Sequence, residues 1–366
     1  MRRDSIKREE IRRVVVRVTN WVGDAVLTIP ALRELRRLLP EAHITLATRS
    51  WARGLFADAD FVDELLVYDR GARDLGAVVR QTREWRRRRF DLAVLFQNAF
   101  EAALIARAAG VPLRLGYATD GRRALLTHPL AVPRWRSERH EVYYYLNIVA
   151  ELEKLLDGAS TVAEHEPRFA LKVSPERRSE ALELLRAEGA VAGGTAPLVA
   201  LCPGSTNSRA KRWPAERYAA LADLLIERMG AQVLLIGSRD EEEVSREVAA
   251  RMRCRAVMLT GRTELAQAVA VLSLADVLVT NDTGPAHIAA ALERPTLVIF
   301  GPTIPTTTRP YSPLAEIIRR PPDCAPCMLR DCPIDHRCMT AITAEEVYER
   351  TVRLLERTRA AEEVLG

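Results

Sequence analysis

The sequence predicts an α/β protein built from two doubly wound domains, each organised around a parallel sheet. Three observations lead to this prediction. Short apolar runs of strand length alternate with helix-length segments along most of the chain. The alternation loosens near residues 167–197 and then restarts. The chain of 366 residues is also long enough for two domains of ordinary size.

The first domain shows an alternation of predicted strands and helices. The strands cover residues 14–18, 43–48, 64–68, 90–96 and 111–117, and the helices cover residues 25–39, 75–89, 99–109 and 137–156. Pro30 lies too far along the first of these helices to occupy its opening position. That helix therefore either kinks at Pro30 or begins near Thr28.

The second domain repeats the architecture without repeating the sequence. Its predicted strands cover residues 198–202, 232–236, 277–280 and 296–300, and its helices cover residues 176–188, 215–229, 239–252, 263–274 and 286–292. We place the boundary between residues 175 and 176, where prolines and a Gly-Gly pair interrupt the pattern. The second domain then covers residues 176–342, and a C-terminal helix covers residues 343–366. Two such domains in tandem suggest a cleft between them.

The composition indicates a soluble globular protein, with 48% hydrophobic and 28% charged residues. No stretch approaches the roughly 18 uninterrupted apolar residues of a membrane span, and the charged start lacks the apolar core of a signal peptide. We therefore expect a cytoplasmic protein. Residues 1–160 carry 28 basic and 21 acidic side chains, whereas the remainder carries 26 and 28. The basic first half favours an anionic partner there, such as a phosphorylated lipid, a membrane surface or nucleic acid.

The most informative stretch spans residues 275–303 and reads ADVLVTNDTGPAHIAAALERPTLVIFGPT. A β-branched strand runs into Asn-Asp-Thr-Gly-Pro, and a helix and a second strand follow, which predicts a parallel crossover unit. Ligands bind at the carboxyl end of such a strand, where the helix start offers N–H groups and a positive dipole to an anion. Asp282, Thr283, Gly284 and His287 are expected to line this pocket. A simple helix cap followed by a turn would fit the same string, so the surrounding sequence has to decide.

Another loop of the second domain has the composition of a phosphate cradle. Residues 203–206 (Pro-Gly-Ser-Thr) follow a strand, and residues 211–214 (Lys-Arg-Trp-Pro) come shortly after. The hydroxyls of Ser205 and Thr206, backbone N–H groups, and Lys211 beside a helix start would together hold a phosphate. The alternative for the Lys-Arg pair is an exposed basic surface.

The next strand ends in Gly237 and Ser238 with Glu241 close behind, where a carboxylate can contact ribose or base hydroxyls. The sequence contains no Walker pattern and no Gly-x-Gly-x-x-Gly string. An ATPase or a dinucleotide-dependent dehydrogenase is therefore disfavoured.

Three groups of residues together resemble a known family. They are residues 20–24 (NWVGD) with 27–32, residues 202–205 (CPGS) with 210–214 (AKRWP), and residues 281–284 (NDTG) with His287. In these strings and in their order, the chain resembles the bacterial ADP-heptose:lipopolysaccharide heptosyltransferases of glycosyltransferase family 9, the heptosyltransferase II group most closely. The resemblance covers nearly the whole chain. It implies the GT-B fold, in which two Rossmann-like domains face a central cleft, the first binding the acceptor and the second the nucleotide sugar.

The resemblance also implies an activity, the inverting transfer of heptose from ADP-heptose to the inner core of lipopolysaccharide. The acceptor would be heptosyl-Kdo2-lipid A, met at the inner face of the inner membrane by a cytoplasmic or peripheral enzyme. Asp24 matches the proposed general base of the family. The matches to its donor-binding positions are Ser205, Thr206, Lys211, Glu241, Asp282, Thr283, Gly284 and His287.

The chemistry is consistent with these roles. An inverting transfer needs a carboxylate to take the acceptor proton and positive charge to receive the departing diphosphate. Lys211 and the helix start at Thr283 and Gly284 can supply that charge, so we expect that catalysis requires no cofactor and no divalent metal. Asp24 has a simpler alternative role as a helix cap, and a helix N-terminus would lower its pKa and weaken it as a base.

The acceptor is expected to contact Arg114 and His140 in the first domain. Other arginines are expected to meet the phosphates and carboxylates of the lipid A and Kdo region: Arg122, Arg123, Arg134, Arg136, Arg139 and the run at 86–89. The alternative is that these side chains only solvate helix faces, which applies most clearly to the run at 86–89.

A cysteine-rich segment, residues 324–338, has the spacing C-x2-C-x4-C-x5-C with His336 inside it, and its cysteines are Cys324, Cys327, Cys332 and Cys338. Thiols this close together in a cytoplasmic protein are more typical of metal ligands than of disulfides. A structural metal, usually zinc, is one interpretation; thiols packed without metal and a redox or iron–sulfur site are the others. Cys202 and Cys254 stand alone and are predicted to be small core residues.

Other functions compete with this interpretation. Another GT-B glycosyltransferase or a nucleotide-sugar epimerase would use the same scaffold. A non-catalytic nucleic-acid or metal-binding protein would account for the basic first half and the cysteines. The basic residues are scattered over helices, however, without an aromatic-studded strand face or a nucleic-acid reading motif, so we expect no nucleic-acid partner.

Overall fold

The computed structural model describes residues 7–69 and 74–365, with side chains up to residue 360. The chain divides into two compact units, Met1–Phe169 and Ala170–Gly366. This division falls a few residues before the boundary that we placed at residues 175 and 176. Residues 1–6 of the charged start and residue 366 of the predicted C-terminal helix lie outside the described residues.

The first unit contains a six-stranded parallel sheet in the order β3-β2-β1-β4-β5-β6. Its strands are β1 (Arg13–Arg17), β2 (His43–Thr48), β3 (Glu64–Val67), β4 (Leu92–Leu95), β5 (Leu113–Tyr117) and β6 (His128–Leu130). Its helices are α1 (Val22–Leu27), α2 (Ile29–Leu38), α3 (Arg53–Phe56), α4 (Leu75–Arg88), α5 (Phe100–Ala108) and α6 (Glu141–Asp157). Val14, Val15 and Val16 of the central strand are fully buried, as expected of a parallel strand covered on both faces.

Two helices replace the single helix predicted over residues 25–39. The chain breaks at Thr28, whose Oγ1 donates a 2.7 Å hydrogen bond to the carbonyl oxygen of Ala25. Pro30 lies in the first turn of α2, where its missing N–H is not needed. The structure thus selects a helix start near Thr28 over a kink at Pro30. The predicted helix at residues 137–156 also begins later, because the stretch Arg134–Ser137 forms a separate 3₁₀ helix.

The second unit has its own six-stranded parallel sheet, in the order β12-β11-β10-β7-β8-β9. Its strands are β7 (Leu198–Cys202), β8 (Gln232–Leu235), β9 (Val257–Met258), β10 (Val277–Asn281), β11 (Thr296–Phe300) and β12 (Ala315–Arg319). Its helices are α7 (Pro175–Ala187), α8 (Ala215–Met229), α9 (Glu242–Arg251), α10 (Leu265–Leu272), α11 (Gly284–Ala291), α12 (Pro305–Thr308), α13 (Arg337–Thr340) and α14 (Ala344–Leu365).

The long C-terminal helix belongs to the core of the second unit. Val347, Leu354 and Leu355 of α14 are in one buried cluster with Leu221 and Leu225 of α8. Each side chain of this size contributes roughly 1.5–3 kcal/mol when it is fully buried. These apolar residues of α14 are therefore buried within its own unit. Among the described residues, no helix combines the length and the apolarity that crossing a bilayer demands.

Both sheets have the same doubly wound strand order, so the predicted fold class is confirmed. The order reverses between β1 and β4 in the first unit and between β7 and β10 in the second. In each unit separately, the loops at the carboxyl ends of its two strands flank the point where an α/β sheet of this type binds ligands. The prediction omitted β6, β9 and β12, because two of them have only two or three residues and the third contains charged residues.

Candidate functional site

The loops after β7 and β10 are tied together by the side chain of Asn281. This residue is fully buried, and its Nδ2 donates to the carbonyl oxygens of Pro203 and Gly204 at 2.9 and 3.0 Å. Its Oδ1 accepts from the backbone N–H of Trp213 at 3.0 Å and from the hydroxyl of Tyr218 at 3.2 Å. A buried amide with partners on both of its polar atoms fixes the separation of the two loops.

Next to Asn281 in the sequence, Asp282 forms an ion pair with Lys211. Lys211 Nζ lies 2.9 Å from Asp282 Oδ2 and 3.2 Å from the carbonyl oxygen of the same residue. Asp282 is 5% exposed, and its Oδ2 also accepts a 2.7 Å hydrogen bond from Thr303 Oγ1. The ammonium group is more exposed than its partner, with 27% of the side chain accessible. The carboxylate therefore orients the lysine while leaving it accessible to an anion.

Helix α11 begins directly after this pair, with Thr283 as its N-cap residue. The Thr283 side chain makes no capping hydrogen bond; its Oγ1 lies 3.3 Å from the carbonyl oxygen of Asn281 instead. The helix start therefore leaves the N–H of Gly284 and the positive end of the dipole without a capping side chain, while Pro285 has no N–H and the N–H of Ala286 donates to the Thr283 carbonyl oxygen. His287, 7% exposed, lies at the end of the first turn. An oxyanion is the chemical group that this arrangement favours.

The two predicted hydroxyl residues of the loop after β7 differ in exposure. Ser205 is 3% exposed, and its carbonyl oxygen accepts from Arg212 Nε and Nη2 at 3.2 and 3.0 Å. Thr206 is exposed. The Cβ of any side chain at Gly204 would lie 2.4 Å from the carboxyl group of Glu241, so only glycine fits there.

Glu241 serves this loop rather than opening toward a ligand. Its Oε2 accepts from both the backbone N–H and the hydroxyl of Ser238, each at 2.8 Å, which completes a capping box. Glu241 is 6% exposed and packs against Gly204. The predicted contact with ribose hydroxyls stays a prediction, whereas the loop-shaping role is visible.

In the first unit, the predicted base Asp24 lies in the first turn of α1, after β1. Glu141, the first residue of α6, is 8% exposed and accepts from Arg136 Nη2 at 2.7 Å. Burial raises the pKa of Glu141, the positive charge of Arg136 opposes that rise, and the negative charge of Asp24 adds to it. The pKa of Tyr145 is also raised, by burial first and then by the charges of Asp24 and Glu141. The two carboxylates therefore share one electrostatic environment.

The prediction did not include Glu141 or Arg136 as a pair. The available signal was an acidic residue at a helix start, and that pattern is too common to single out a site. Arg136 is close to Glu141 in the sequence, whereas Asp24 joins this pair only because the fold places α1 beside α6. The guanidinium of Arg136 also lies 4.1 Å from the centre of the Tyr144 ring.

Arg122 has a structural role, so its prediction as an acceptor contact was wrong. It is fully buried, donates from Nε to the Tyr117 carbonyl oxygen at 2.7 Å and from Nη2 to Asn98 Oδ1 at 2.7 Å, and also contacts the Gln97 carbonyl. The pKa of this guanidinium is lowered by burial. Arg122 holds the loop after β4 against the end of β5.

Arg114 and His140 are also occupied by local bonds. Arg114 is near the amino end of β5, opposite Ala93, and its guanidinium donates to backbone carbonyls, including that of Leu125 at 2.7 Å. It is therefore not at the ligand-binding edge of the sheet, contrary to our expectation of a residue at the strand end. His140 caps α6 through Nδ1, which accepts from the Val142 N–H at 3.2 Å, and is 7% exposed. Their roles in acceptor binding stay predictions.

The run of arginines at 86–89 closes α4 away from these loops. Arg86 donates to the Ala108 carbonyl, Arg87 pairs with Glu84, and Arg88 pairs with Glu84 and Glu64. These contacts match the alternative of a solvated helix face.

The cysteine-rich segment lies in the second unit. Cys324 is exposed, Cys327 and Cys332 are half-buried, and Cys338 is 8% exposed. The pKa of Cys338 is raised by burial and further by Cys332, Cys327 and Cys324, so each of these three thiols interacts electrostatically with Cys338. Within the described ranges, no group of three or more His, Cys, Asp or Glu side chains has the arrangement of a metal site.

The two isolated cysteines differ from each other. Cys202 is fully buried at the end of β7, as predicted. Cys254 is half-buried near the surface, so the prediction of a core position was wrong. It follows the end of α9, and its backbone N–H donates to Asp223 Oδ1 at 2.9 Å.

The chain matches the family described as Glycosyltransferase family 9 (heptosyltransferase) over residues 78–337. Lipopolysaccharide heptosyltransferase 2 of Escherichia coli (strain K12) is 31% identical over 327 residues, which cover 84% of this chain and 88% of that protein. Lipooligosaccharide heptosyltransferase 2 of Haemophilus influenzae is 31% identical over 314 residues, with coverage of 82% and 86%. The solved structure of E. coli ADP-heptose lipopolysaccharide heptosyltransferase II matches with a TM-score of 0.80 and 28% identity, covering 95% of this chain and 99% of that one.

Proposed function

This chain belongs to glycosyltransferase family 9, and from that premise we propose that it transfers heptose from ADP-heptose to the inner core of lipopolysaccharide, with heptosyl-Kdo2-lipid A as acceptor and inversion at the transferred carbon. The observation that carries the proposal is the Lys211–Asp282 pair beside the start of α11, at the switch point of the second sheet. The match to the family model and to the curated relatives confirms the expected family. The assignment of the substrates is the step that we add.

The donor half of the reaction would use the second unit. A diphosphate bridging Lys211 Nζ and the N-terminus of α11 would place its negative charge between an ammonium group and a helix dipole. When the bond from the sugar to the diphosphate breaks, charge develops on the departing phosphate oxygen. Both groups are already oriented before the reaction, which is the condition for effective electrostatic stabilisation. Asp282 would act by holding Lys211, and the hydroxyls of Ser205 and Thr206 are the proposed further donor contacts.

The acceptor half would use Asp24 in the first unit. The acceptor hydroxyl oxygen forms the new bond to the anomeric carbon, and Asp24 takes the proton of that hydroxyl as the bond forms. One carboxylate is enough for an inverting displacement, because the leaving diphosphate departs without being protonated by a second acid. Asp24 and Glu141 interact electrostatically, since the negative charge of Asp24 adds to the rise in the pKa of Glu141.

No metal is needed in this mechanism, because Lys211 and α11 replace the divalent cation that commonly holds a diphosphate. We propose a separate, structural zinc for Cys324, Cys327, Cys332 and Cys338. The residue types fit a thiolate site, although the described side chains are not arranged as one. Elemental analysis of the purified protein tests this, with the Cys324→Ser and Cys327→Ser double variant as the control for stoichiometry. Less than about 0.1 zinc per chain would exclude a stably bound ion.

The acceptor is a lipid, so we propose that the enzyme works peripherally at the cytoplasmic face of the inner membrane and has no nucleic-acid partner. Exposed basic residues near the start of α6, Arg134 and Arg139, would favour an anionic surface. Sedimentation with anionic and with neutral vesicles tests this association, which should occur with the anionic vesicles and not with the neutral ones.

The test of the whole proposal is a donor and acceptor panel. Purified protein would be given ADP-heptose, ADP-glucose, UDP-glucose and GDP-mannose, each with heptosyl-Kdo2-lipid A and with Kdo2-lipid A. Mass spectrometry of the lipid product should show one added heptose with ADP-heptose and the heptosylated acceptor only. Transfer from another nucleotide sugar would point to a different glycosyltransferase. Conversion of the nucleotide sugar without any change in the lipid would point to an epimerase.

A further inference from the structure

The cysteine-rich segment is hydrogen-bonded to the short helix that carries Lys211. That 3₁₀ helix, Arg209–Lys211, has only three residues and no side-chain cap. Its middle residue, Ala210, donates its N–H to the carbonyl oxygen of Arg330 at 2.9 Å. The carbonyl oxygen of Ala210 lies 2.6 Å from His336 Nε2, which donates when it carries the proton. Both backbone polar groups of the residue before Lys211 are thus held by the cysteine-rich segment.

Further contacts extend the same junction. Ser208 Oγ lies 3.3 and 3.2 Å from the carbonyl oxygens of Leu329 and Arg330, and Ser208 is 8% exposed. Arg209 Nε donates to Asp331 Oδ1 at 2.6 Å, but this pair is largely exposed and contributes little. The buried bonds of Ser208 and Ala210 are therefore the ones that hold the short helix.

The cysteine-rich segment also contacts the loop that supports Asp282. The Met328 N–H donates to the carbonyl oxygen of Pro302 at 3.0 Å. A Cβ added at Gly301 would lie 3.2 Å from the thiol of Cys338, so the segment packs closely against the end of β11. Thr303, which follows Pro302, donates the 2.7 Å hydrogen bond to Asp282. The segment therefore touches the supports of both members of the Lys211–Asp282 pair.

His336 itself has an unusual backbone. Its φ and ψ are 57° and 28°, in the left-handed region that residues other than glycine rarely adopt. It precedes α13, which carries Cys338. This conformation turns the chain so that the imidazole faces Ala210 while the following helix packs beside β11. A backbone in this region is retained where surrounding contacts require it.

We propose that the cysteine-rich segment is a brace for the donor diphosphate site and that His336 is the positioning residue through which it holds Lys211. The proposal rests on the proposed function, since it takes Lys211 as the group that meets the diphosphate. Ordering a loop residue costs conformational entropy, and a brace formed in the free protein removes that cost from donor binding. The brace acts on the donor and leaves acceptor binding to the first unit.

The test compares His336→Ala, His336→Gln and Asp335→Asn in the full-length protein. Glutamine keeps an N–H donor that reaches Ala210, whereas alanine removes it. Asp335 is the neighbouring residue and bonds to Arg337 rather than to the short helix, so its variant is the matched control. ADP affinity is measured by calorimetry, and the Michaelis constants for donor and acceptor are measured separately. Thermal unfolding reports whether each variant is folded.

We expect His336→Ala to weaken ADP binding and raise the donor constant by about 5- to 10-fold, the loss of one well-placed hydrogen bond. The acceptor constant should change by less than about 2-fold, His336→Gln should recover most of the affinity, and Asp335→Asn should match wild type. Equal changes in donor and acceptor constants, or no recovery with glutamine, would overturn the brace.

The two proposals fail in different ways. If wild type does not transfer heptose but His336→Ala still weakens ADP binding, the proposed reaction is refuted and the brace is supported. If heptose transfer proceeds and ADP binding is the same in His336→Ala and wild type, the brace is refuted and the reaction stands.

Discussion

Asn281 is the last residue of the fourth strand of the second unit, and Asn98 lies shortly after the end of the fourth strand of the first unit, yet their surroundings differ. Asn281 is fully buried and ties four groups from two loops and a helix. Asn98 is exposed, and its amide contacts Arg122 Nη2 and the hydroxyl of Tyr144. The asparagine at the switch point of the second unit is therefore held by buried hydrogen bonds, whereas the asparagine at that of the first unit is exposed.

This difference matches the two halves of the proposed reaction. A diphosphate is bound best by dipoles and charges that are already in place, and the second unit provides them through Asn281, Lys211 and the start of α11. Proton transfer needs an ionisable group whose protonation responds to its neighbours, and the first unit provides Asp24 beside Glu141. One topology thus supports two kinds of site, and the side chains at the switch point decide which.

The largest expected effect is that of Asp24→Asn. If the first unit supplies the base and the second the donor site, this variant should lower kcat by about 10³-fold, within the range for loss of a general base. ADP affinity should change by less than about 2-fold, because Asp24 lies in the other unit. Glu138→Gln, an exposed carboxylate just before α6, is the control and should keep full activity. A loss of ADP binding in parallel with turnover would remove the contrast between the units.

The pH dependence of stability should also distinguish the first unit from the second, because Glu153 of the first unit has a lowered pKa. Burial opposes its ionisation, but hydrogen bonds from Ser160, Arg37 and Thr161 prevail and lower the pKa of Glu153 to about 2. Since this folded-state pKa is below the unfolded value of about 4.3, the ionised carboxylate stabilises the fold above that value. The contribution, about 2–3 kcal/mol, is lost as the pH falls from about 4.3 towards 2.

Glu153→Gln should therefore destabilise the first unit at pH 7 and flatten its stability between pH 4.3 and 2, near the ordinary and shifted pKa values. Denaturant unfolding at several pH values measures both effects. Glu151→Gln, which removes a more exposed partner of Lys154, should have little effect. At pH 7, the affinity of Glu153→Gln for ADP should equal that of wild type. An equal flattening in both variants would show that the shift does not belong to Glu153.

A smaller effect is expected from the donor side, with Lys211→Ala. Loss of one charge-assisted contact should weaken ADP binding by about 10- to 100-fold. Arg251→Ala, which removes an exposed pair with Glu247 on α9, is the control and should bind ADP normally. EDTA added at the start of the assay should not lower turnover by wild type. Turnover that stops with EDTA and returns with Mg²⁺ would contradict a diphosphate site built from Lys211 and α11.

Sequence reasoning reached the fold and the loops but not the burial of individual side chains. The strands at residues 43–48, 198–202 and 296–300 were predicted to the residue, because their apolar runs are continuous and end at strong breaks. Asp282 and Lys211 were identified from loop chemistry, and their pairing followed from β7 lying next to β10.

The errors have a common physical cause. Arg122 was predicted to contact the acceptor, since a sequence shows the charge of an arginine and not the carbonyls around it. Glu141 was missed for the reverse reason, because its electrostatic environment includes Asp24, which only the fold brings close. Long-range neighbours decide whether a charged residue is structural or available, and no local pattern records them.

The smallest expected effect concerns the acceptor, and it tests the first unit's side of the comparison. Arg139 is exposed near the start of α6, and its guanidinium carbon lies 4.1 Å from the centre of the Tyr143 ring. The ring therefore holds an exposed positive charge in a defined position. Arg139→Ala should raise the acceptor Michaelis constant by about 2- to 4-fold, as expected for one screened surface charge. In wild type that constant should rise with salt, since exposed charges are screened over about 8 Å at physiological ionic strength, and the rise should be shallower in the variant. Arg114→Ala tests the predicted acceptor contact of a residue whose guanidinium is bonded to backbone carbonyls: a structural role would lower the melting temperature and leave the acceptor constant unchanged, whereas a contact with the acceptor would raise that constant. The donor constant should depend less on salt, because its site is built around a buried carboxylate and amide. A flat acceptor constant in wild type, or a larger effect from Arg114→Ala than from Arg139→Ala, would mean that the switch point of the first unit does not recognise the acceptor by its charge.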